Sequence, residues 1–511
     1  MVKVVLIGVD GATWIILRKL ISDGVMPFLA EAIEDGVHGY LRSTIASSTF
    51  PSWPTIATGL DPAQHGLTGF MLRSRNGRLV LGSSLYLERE TLWDILGYHR
   101  LSSLVINYPG TYPAKRIRGF MLTGILTTNY NGFAYPRDMG YMVLKRFGYP
   151  LEVDIVNESP QTYIGIDGNR ARIASYMIRN YDYDFVSVVF RCSDKLQHHF
   201  WNDWRAYRIY YRSLDRWVKE VVESSGYPDT PFLIVSDHGF DYARYKLNIP
   251  RILYDHGLVS LGKRIGDSKR TSSPTISRLL GRIGLSREVL SNIVNRYRLL
   301  SMIVKRAGGI VFARLFLPET SQTIDPVYSR VYPSSEGLFI MDKDITIDYV
   351  VDLLRRCSRY RGRDAINKVY IVKNVWRGPY LYRAPDIIVE TRTGCGIAHD
   401  LKMRDYVLEN HEPLGGHTSY VSHYGVLVAS GGDIRRGGLV NASVYDIAPT
   451  ILDILDLPIS IDHVGRPLKE IFRDGSSIKQ RAIKTMNYRR LGLSIRIQNI
   501  KYRSMGRGGT I

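Results

Sequence analysis

Short apolar runs alternate with longer stretches of helical periodicity along the first half of the chain. The apolar runs occupy residues 2–9, 103–107, 184–190 and 231–236, and the helical stretches include 91–98, 169–180 and 207–224. Continuous apolar runs are typical of strands buried on both faces of a parallel sheet. The alternation predicts an α/β fold with a mainly parallel sheet sandwiched by helices.

The regular alternation stops near residue 256. Residues 275–283 and 287–306 have helical periodicity and predict an inserted helical cap. Strand and helix patterns resume at 337–341, 347–358, 369–372, 386–389, 425–430 and 444–457. We therefore expect a catalytic core in two parts, 1–257 and 328–475, separated by a cap at 258–327 and followed by a tail at 476–511.

The composition is that of a soluble globular protein, with 45% hydrophobic residues. No apolar run approaches the roughly 20 residues that a membrane span needs. The first apolar run is broken by Asp10 and lacks a cleavage site, so we expect no signal peptide. Three cysteines without paired spacing argue against a disulfide framework and a thiolate zinc site. These features predict a cytoplasmic protein.

The net charge of +20 is concentrated in two segments. Residues 476–511 contain nine basic residues and no acid, and residues 256–310 contain eleven basic residues against two acids. Such segments predict attraction to a polyanion, either nucleic acid or an anionic membrane surface. The helix predicted at 287–306 is apolar on one face and suits either a membrane interface or a lid packed on the core.

Acidic and histidine side chains follow several of the predicted strands. Asp10 and Asp237 end two strands, His238 follows directly, and Asp194 and His198 lie four residues apart, on one face of a helix. Neighbouring His199 would point elsewhere. A single Asp at a strand end is often only a helix cap. Together with His417, which precedes the last strand, these residues form a nitrogen and oxygen donor set suited to two zinc-like ions.

Thr49 is the candidate nucleophile. It lies in residues 47–54, a stretch of small hydroxyl residues that we interpret as a proline-stiffened turn. A hydroxyl is a poor nucleophile at neutral pH unless a metal or a base lowers its pKa. Two ions about 4 Å apart can activate such an oxygen and stabilise the leaving oxygen of a displacement at phosphorus. The charges of two divalent ions would be balanced by three carboxylates and one alkoxide from Thr49.

These residues stand in motifs that resemble the alkaline phosphatase superfamily, in particular its type I phosphodiesterase/nucleotide pyrophosphatase branch. The resemblance covers about residues 1–255 and 330–472. The motifs that carry it are Gly8-Val9-Asp10-Gly11, Thr49-Phe50-Pro51 through Thr58-Gly59 and His65-Gly66, Asp194 with His198, Ser236-Asp237-His238-Gly239, Asp446-Ile447-Ala448-Pro449-Thr450, and Gly465-Arg466-Pro467-Leu468.

The resemblance implies a role for each matched residue. Asp10, Asp237 and His238 would hold one metal ion beside Thr49, which is itself a ligand of the metal site. Asp194, His198 and His417 would hold the other ion, and the backbone N–H of Phe50 would bind the phosphoryl group. The ions implied are zinc, with manganese as the alternative.

Two positions depart from the family pattern. Ser52 stands where the diesterases often have an Asn that contacts the phosphoryl oxygens. We therefore assign Ser52 to phosphoryl binding, with contacts to these oxygens that differ from those of Asn. The last histidine usually stands before Gly-Tyr, whereas His417 is followed by Thr418-Ser419-Tyr420. His423 therefore remains the alternative to His417. The context of Thr49 does not match the Pro-x-Arg setting of the sulfatase branch.

The sequence as a whole predicts a two-metal hydrolase of phosphoric esters that acts on a phosphodiester or pyrophosphate through a phosphothreonine. A phosphomonoesterase or a phosphotransferase on the same scaffold is the first alternative. A polyanion-binding protein with a relic metal site is the second. The natural substrate is not readable from these patterns, because pocket shape rather than fold determines it.

Overall fold

The computed structural model describes residues 2–151, 158–262, 324–398, 401 and 404–495. The helices predicted at 275–283 and 287–306 lie outside the described residues. The chain on either side of this gap comes together, because Leu261 pairs with Ile324 and the Asp325 N–H donates to the Ser260 carbonyl at 2.8 Å. The described residues that flank positions 263–323 are therefore neighbours in space.

The described strands and α-helices follow in chain order. The strands are β1 (Val4–Val9), β2 (Val37–Arg42), β3 (Met71–Arg73), β4 (Leu79–Leu81), β5 (Ser103–Tyr108), β6 (Gly119–Thr123), β7 (Ala134–Tyr135), β8 (Phe185–Phe190), β9 (Phe232–Val235), β10 (Asp241–Leu247), β11 (Val331–Pro333), β12 (Leu338–Ile340), β13 (Arg359–Tyr360), β14 (Arg363–Asp364), β15 (Ile366–Ile371), β16 (Ile387–Thr391), β17 (Gly394–Ile397), β18 (Val407–Gly416), β19 (Tyr424–Ser430), β20 (Ala442–Ser443), β21 (Ile459–Ser460) and β22 (Thr485–Met486). The helices are α1 (Trp14–Ser22), α2 (Pro27–Glu34), α3 (Thr49–Thr58), α4 (Pro62–His65), α5 (Leu92–Tyr98), α6 (Arg137–Phe147), α7 (Pro160–Asn180), α8 (Cys192–His199), α9 (Trp204–Ser224), α10 (Ile249–Asp255), α11 (Ile347–Cys357), α12 (Ile447–Ile454) and α13 (Ser477–Gln480).

Nine of the described strands form the central sheet, in the order β20-β2-β19-β9-β1-β8-β5-β6-β7. Only β19 and β7 run against the direction of the others. Helices cover both faces. The predicted α/β fold with a mainly parallel sheet is therefore confirmed.

The central strand β1 is apolar throughout because both of its faces are buried. Val5, Ile7 and Val9 pack into one core with α1, α2, α7 and α9, whereas Val4 and Leu6 pack into a second core with α3, α5 and α12. Successive side chains of a strand point to opposite faces, so a strand covered on both sides buries every residue. Each fully buried Val, Leu or Ile contributes roughly 1.5–3 kcal/mol.

Three adjacent strands deliver the candidate site residues to one edge of this sheet. β1 lies between β9 and β8, with Gly8 paired to Val235 and Val9 paired to Phe190. The chain leaves all three strands at their carboxyl ends, into Asp10, α8 and Asp237. Parallel strands end side by side, so residues far apart in the chain meet there.

The second half of the chain differs from the predicted continuation of the core. The strands expected at 337–341, 369–372 and 386–389 form β12, β15 and β16 of a separate antiparallel sheet with β11. A further sheet joins β10, β17 and β18. The central sheet gains only β19 and β20 from this region, and α12 covers it.

The first part of the predicted basic tail packs on the core. Strand β22 pairs with β21, the Tyr488 side chain is 1% exposed, and Arg481 Nε lies 3.5 Å from Asp453 Oδ1. The segment up to residue 495 is thus part of the folded domain. Among the described residues, no helix is both long and apolar enough to cross a membrane.

We predict that two truncations differ sharply in stability. Ending the chain at Ser476 removes buried Tyr488 and the Arg481–Asp453 pair, and should lower the free energy of unfolding by about 3 kcal/mol or more, the cost of losing a buried aromatic side chain. Ending it at residue 495 keeps Tyr488 and the Arg481–Asp453 pair, so this variant should melt closer to the full chain than the shorter one does. Thermal denaturation of both variants and the full chain measures the difference.

The truncation at residue 495 also tests the expected polyanion binding. It removes four basic residues without touching the packed segment. If these residues bind polyanions, the full chain should be retained on RNA, DNA or anionic vesicles at low salt more strongly than the variant, and should be released as salt rises. Equal, negligible retention of both proteins would argue against the tail as a polyanion site.

Candidate active site

The first half of the site is a group of completely buried carboxylates around one imidazole. His238 Nε2 lies 3.3 Å from Asp237 Oδ2 and 3.7 Å from Asp10 Oδ1. The other carboxylate oxygens are fixed by donors: the Gly11 N–H donates to Asp237 Oδ1 at 3.1 Å, and Trp53 Nε1 donates to Asp10 Oδ2 at 3.2 Å. Each carboxylate therefore turns one oxygen towards His238.

The second half comes from α8 and from the residue after β18. Asp194 and His198 share one face of α8, with His198 Nε2 3.5 Å from Asp194 Oδ1. The ring centroid of His417 lies 4.4 Å from that of His238 and 5.2 Å from that of His198. His199 points away from this cluster, and its Nδ1 lies 2.8 Å from Glu158 Oε2.

Two backbone carbonyls determine which nitrogen of the central histidines carries the proton. His238 Nδ1 lies 3.0 Å from the Gly239 carbonyl, and His417 Nδ1 lies 2.7 Å from the Ser47 carbonyl. A carbonyl only accepts hydrogen bonds, so both Nδ1 atoms are donors. The Nε2 lone pairs are then free, as in metal-ligating histidines whose other nitrogen is held by the protein.

Four polar atoms in this cluster are buried without a hydrogen-bond partner: Asp10 Oδ1, Asp194 Oδ1, Asp237 Oδ2 and His238 Nε2. Nearly all buried polar atoms in proteins have a partner, so such a group needs an explanation. The ligand atoms form two sets, each with all members within 4.8 Å of one another: Asp10, Asp237 and His238, and Asp194, His238 and His417. Carboxylate oxygens and imidazole nitrogens in this arrangement fit divalent ions of the zinc type.

The electrostatics of the cluster also fit a cation. Burial, and then the charge of Asp237, raise the pKa of Asp10 well above its usual range. Burial lowers the pKa of His198, His238 and His417 to about 4, so these rings are neutral at pH 7. Neutral rings cannot balance the carboxylates, but their lone pairs can bind a metal ion.

Asp194 differs from the other two acids. Burial alone would raise its pKa, but His198 and the Arg191 guanidinium outweigh burial and lower the pKa to about 2. Arg191 Nη1 lies 3.7 Å from Asp194 Oδ2, and the other carboxylate oxygen faces His198. Asp194 is therefore ionised at neutral pH.

The structure brings the six predicted Asp and His ligands together but groups them differently from the prediction. His238 belongs to both sets of mutually close atoms, whereas His198 lies beside Asp194 at the edge of the cluster. The alternative His423 lies elsewhere: its Nε2 is 2.8 Å from Glu390 Oε2. The geometry thus favours His417 over His423 as a member of the cluster.

Thr49 is the first residue of α3 and is 4% exposed. The predicted proline-stiffened turn is wrong, because residues 49–58 form a helix that contains Pro51 and Pro54. Pro51 lies in the first turn, where a backbone N–H has no acceptor within the helix and its loss costs little. The helix presents the positive end of its dipole at Thr49.

Packing against β1 fixes α3 over the cluster. Besides its bond to Asp10, Trp53 lies so close to β1 that a Cβ added at Gly8 would be 2.3 Å from its ring. The Ser47 hydroxyl donates to the His417 carbonyl at 2.8 Å. Gly8 in the Gly-Val-Asp-Gly motif is therefore needed for the helix to approach the strand.

The two predicted phosphoryl-binding residues have different environments. The Ser52 hydroxyl is completely buried and lies 3.0 Å from Ser43 Oγ and 2.9 Å from Thr44 Oγ1, while Ser43 donates to the Asp237 carbonyl at 2.6 Å. Ser52 thus connects α3 to the Asp237 loop. The Phe50 ring packs against Phe70, with ring centroids 4.3 Å apart. Contact of Ser52 or the Phe50 N–H with a phosphoryl group remains a prediction.

Several residues that support the site were not predicted from the sequence. The role of Trp53, four residues after Thr49 on α3, was not foreseen because residues 47–54 were interpreted as a turn rather than a helix. The Ser47 and Ser43 hydroxyls resemble any loop serines in the sequence. Glu336, which accepts a hydrogen bond from Ser48 at 3.3 Å, is 288 residues away along the chain and has no local motif.

The model of the type I phosphodiesterase / nucleotide pyrophosphatase family matches residues 4–420. The chain belongs to this family. Members of this family typically depend on divalent metals. Membership indicates a hydrolase of phosphoric esters. No curated protein sequence matches the chain.

Solved structures support the fold. Human ectonucleotide pyrophosphatase/phosphodiesterase 5 is 15% identical, with a TM-score of 0.57 over 92% of this chain and 100% of its own. An inactive form of the murine enzyme in complex with AMP is 14% identical, with a TM-score of 0.56 over 93% of this chain and 100% of its own. Phosphonoacetate hydrolase from Sinorhizobium meliloti, in complex with phosphonoformate, is 14% identical, with a TM-score of 0.54 over 88% of this chain and 94% of its own.

We predict that His198→Ala weakens divalent-ion binding by at least about tenfold, because it removes a donor beside Asp194. His199→Ala is the matched control, since its ring lies one residue further along α8 and contacts Glu158. Metal content by elemental analysis and the zinc-induced rise in melting temperature measure both variants. Equal behaviour of the two variants would remove His198 from the metal site.

We predict the same contrast for the second histidine pair. His417→Ala should lose a bound ion, because its Nε2 faces the cluster, whereas His423→Ala should keep the ion content of the unmodified protein. The two variants are compared by elemental analysis after dialysis against a fixed zinc concentration. A larger loss in the His423 variant would reverse the assignment.

Proposed function

We propose that the protein hydrolyses a phosphodiester or pyrophosphate through a covalent phosphothreonine on Thr49, with two divalent ions held by the buried cluster. Zinc is the ion that the mixed carboxylate and imidazole donors favour, and manganese is the alternative. The observation that carries the proposal is the set of four unpartnered buried atoms, gathered beside the N-terminus of α3.

The residues that would hold the ions are Asp10, Asp237 and His238 on one side, and Asp194, His198 and His417 on the other. His238 lies within reach of both positions. When bound, two such ions would lower the pKa of the attacking hydroxyl and stabilise negative charge on the leaving oxygen. The fixed tautomers of His238 and His417 keep the donor atoms aimed inward without rearrangement.

The first turn of α3 would bind the phosphoryl group. The N–H groups of Thr49 and Phe50 have no acceptor within the helix and lie at the positive end of the helix dipole, whereas Pro51 has no N–H and the Ser52 N–H donates to the Ser48 carbonyl. They can donate to phosphoryl oxygens as charge develops in the transition state. Thr49 Oγ would attack phosphorus in line with the leaving oxygen, which departs with a proton, and water would then cleave the phosphothreonine and restore Thr49.

The ligands of two structural neighbours support a substrate that carries a phosphoryl group. The murine relative is in complex with AMP, and the bacterial hydrolase is in complex with phosphonoformate. Both ligands carry a tetrahedral phosphorus group with charged oxygens, which is the chemistry expected at a helix N-terminus next to divalent ions.

We predict that Thr49→Ala abolishes hydrolysis, with turnover falling by about 10³-fold or more, because no other hydroxyl would occupy the position of the nucleophile. Thr49→Ser is the matched variant and should retain partial turnover. Hydrolysis of p-nitrophenyl diesters and monoesters in the presence of zinc or manganese measures both variants. Metal content and melting temperature should stay near those of the unmodified protein.

The outcome of this experiment separates the alternatives. Turnover of more than a few per cent in Thr49→Ala would show that another group attacks phosphorus. Faster turnover of monoesters than of diesters by the unmodified protein would replace the diesterase assignment by a phosphomonoesterase on the same scaffold.

A further inference from the structure

Ser48 stands at the N-cap of α3 but does not cap it. Its backbone has the extended N-cap conformation, with φ −147° and ψ 150°, yet its side chain makes no capping hydrogen bond. Serine at this position normally accepts a hydrogen bond from an N–H of the first turn. Ser159, Asp203 and Thr346 do so at the starts of α7, α9 and α11, each with the N–H of the third helical residue. In α3 the third residue is Pro51, which has no N–H, so the donor that Ser48 could take is the Phe50 N–H, as Thr13 takes the Ile15 N–H at the start of α1.

The Ser48 hydroxyl is directed instead towards a carboxylate from a distant part of the chain. Ser48 Oγ donates to Glu336 Oε1 at 3.3 Å, and both side chains are 4% exposed. Glu336 lies in the tight turn between β11 and β12, where the Ser334 N–H donates to the Gly337 carbonyl. The separate antiparallel sheet thus reaches the N-terminus of the helix that carries Thr49.

Glu336 is held in place from several sides. Ser335 Oγ donates to its Oε1 at 2.9 Å, and the backbone of Phe70 also bonds to its carboxylate. Its side chain fills the space above Gly69, where an added Cβ would lie 2.9 Å from Glu336 Cδ. A carboxylate fixed in this way sets the rotamer of Ser48 rather than following it.

We propose that Glu336 is a positioning residue that keeps the Ser48 hydroxyl off the N-terminus of α3, so that the first-turn N–H groups stay available to the phosphoryl group of the substrate. This inference rests on the proposed function, in which that N-terminus binds the phosphoryl group. Ser47, Ser48, Glu336 and His417 line one cleft, so the helix N-terminus, the carboxylate and the metal-ligand cluster meet at the same opening.

The Ser48 hydroxyl would change its hydrogen-bond partner if the Glu336 carboxylate were removed. Without an acceptor at position 336, Ser48 would be free to adopt the ordinary capping rotamer. Its oxygen would then accept a hydrogen bond from an N–H group that the phosphoryl group needs as a donor. The substrate would then have to displace the cap. A capping bond of about 1 kcal/mol corresponds to roughly a fivefold loss of affinity.

A double-mutant cycle tests this role. Glu336→Met keeps the side-chain length but removes the acceptor, whereas Glu336→Gln keeps an acceptor oxygen without the charge. We expect Glu336→Met to raise KM for a diester, and the inhibition constant of inorganic phosphate, roughly fivefold, with a smaller change in kcat. Glu336→Gln should behave like the unmodified protein.

The decisive variant combines Glu336→Met with Ser48→Ala. Removing the hydroxyl removes the competing cap, so the double variant should recover the phosphate affinity of Ser48→Ala alone. If the losses persist in the double variant, Glu336 acts by supporting the structure and the proposal is overturned. Tighter phosphate binding in both Glu336→Met and Glu336→Gln would show that the carboxylate acts by its charge, which also overturns it.

Two controls keep the results interpretable. Metal content and melting temperature are measured for each variant, and Glu336→Ala replaces Glu336→Met in the cycle if the Met variant does not fold, with the same expected recovery. An unmodified protein that neither turns over diesters nor binds phosphate would refute the proposed function itself. A failure of recovery in an active, phosphate-binding protein refutes only the role of Glu336.

Discussion

Three carboxylates buried in one cluster are the constraint on which the rest of the structure depends. Burying the charge of a carboxylate without a partner is among the most costly features that a fold can contain, and this cost raises the pKa of Asp10 and Asp237 because neutral imidazoles do not offset it. Fixed donors reduce this cost. Trp53 donates a hydrogen bond to Asp10, the Gly11 N–H donates to Asp237, and Arg191 lies beside Asp194. The oxygens left over point inward, so the cost of burying these acids and their affinity for divalent ions have the same origin.

The support of the cluster extends well beyond its own residues. The start of α8 is fixed by buried Asp167, which accepts hydrogen bonds from the Cys192 N–H at 3.0 Å and from the Tyr210 hydroxyl at 2.6 Å. The Arg170 guanidinium lies 2.6 Å from the same carboxylate. Helices α7 and α9 thus determine where α8 begins, and with it the positions of Asp194 and His198. A site that must hold its donor atoms in place needs such outer contacts as much as the ligands themselves.

The parts of the fold that could be predicted from the sequence are those buried on both faces. β1 and β9 are apolar throughout, and β8 is apolar apart from Ser187, because both sides of the central sheet are covered. The polar residues that follow these strands, Asp10, Asp194 and Asp237, therefore stood out. β15 could not be assigned to its separate sheet in the same way, because most of its residues are partly or fully exposed. The helix at Thr49 was hidden by Pro51 and Pro54, since the local rule against proline does not apply in a first turn and is overridden further on by tertiary packing. The contact of Ser48 with Glu336 depends on how two sheets approach each other, which no local pattern encodes.

The position of β19 in the central sheet has a consequence for how the chain assembles. This strand, residues 424–430, lies between β2 and β9, both of which belong to the first 235 residues. Until it is in place, two strands of the N-terminal half have open edges facing a gap in the middle of the sheet. His417 lies in the segment between β18 and β19, so the metal-ligand cluster and the sheet are both completed by residues late in the chain. During synthesis, the N-terminal half would leave the ribosome as an unfinished sheet with exposed hydrogen-bonding groups, and residues 263–323 would emerge before the strand that closes the gap. Folding of the core is therefore tied to contacts between distant parts of the chain, which favours slow, late closure over domain-by-domain assembly.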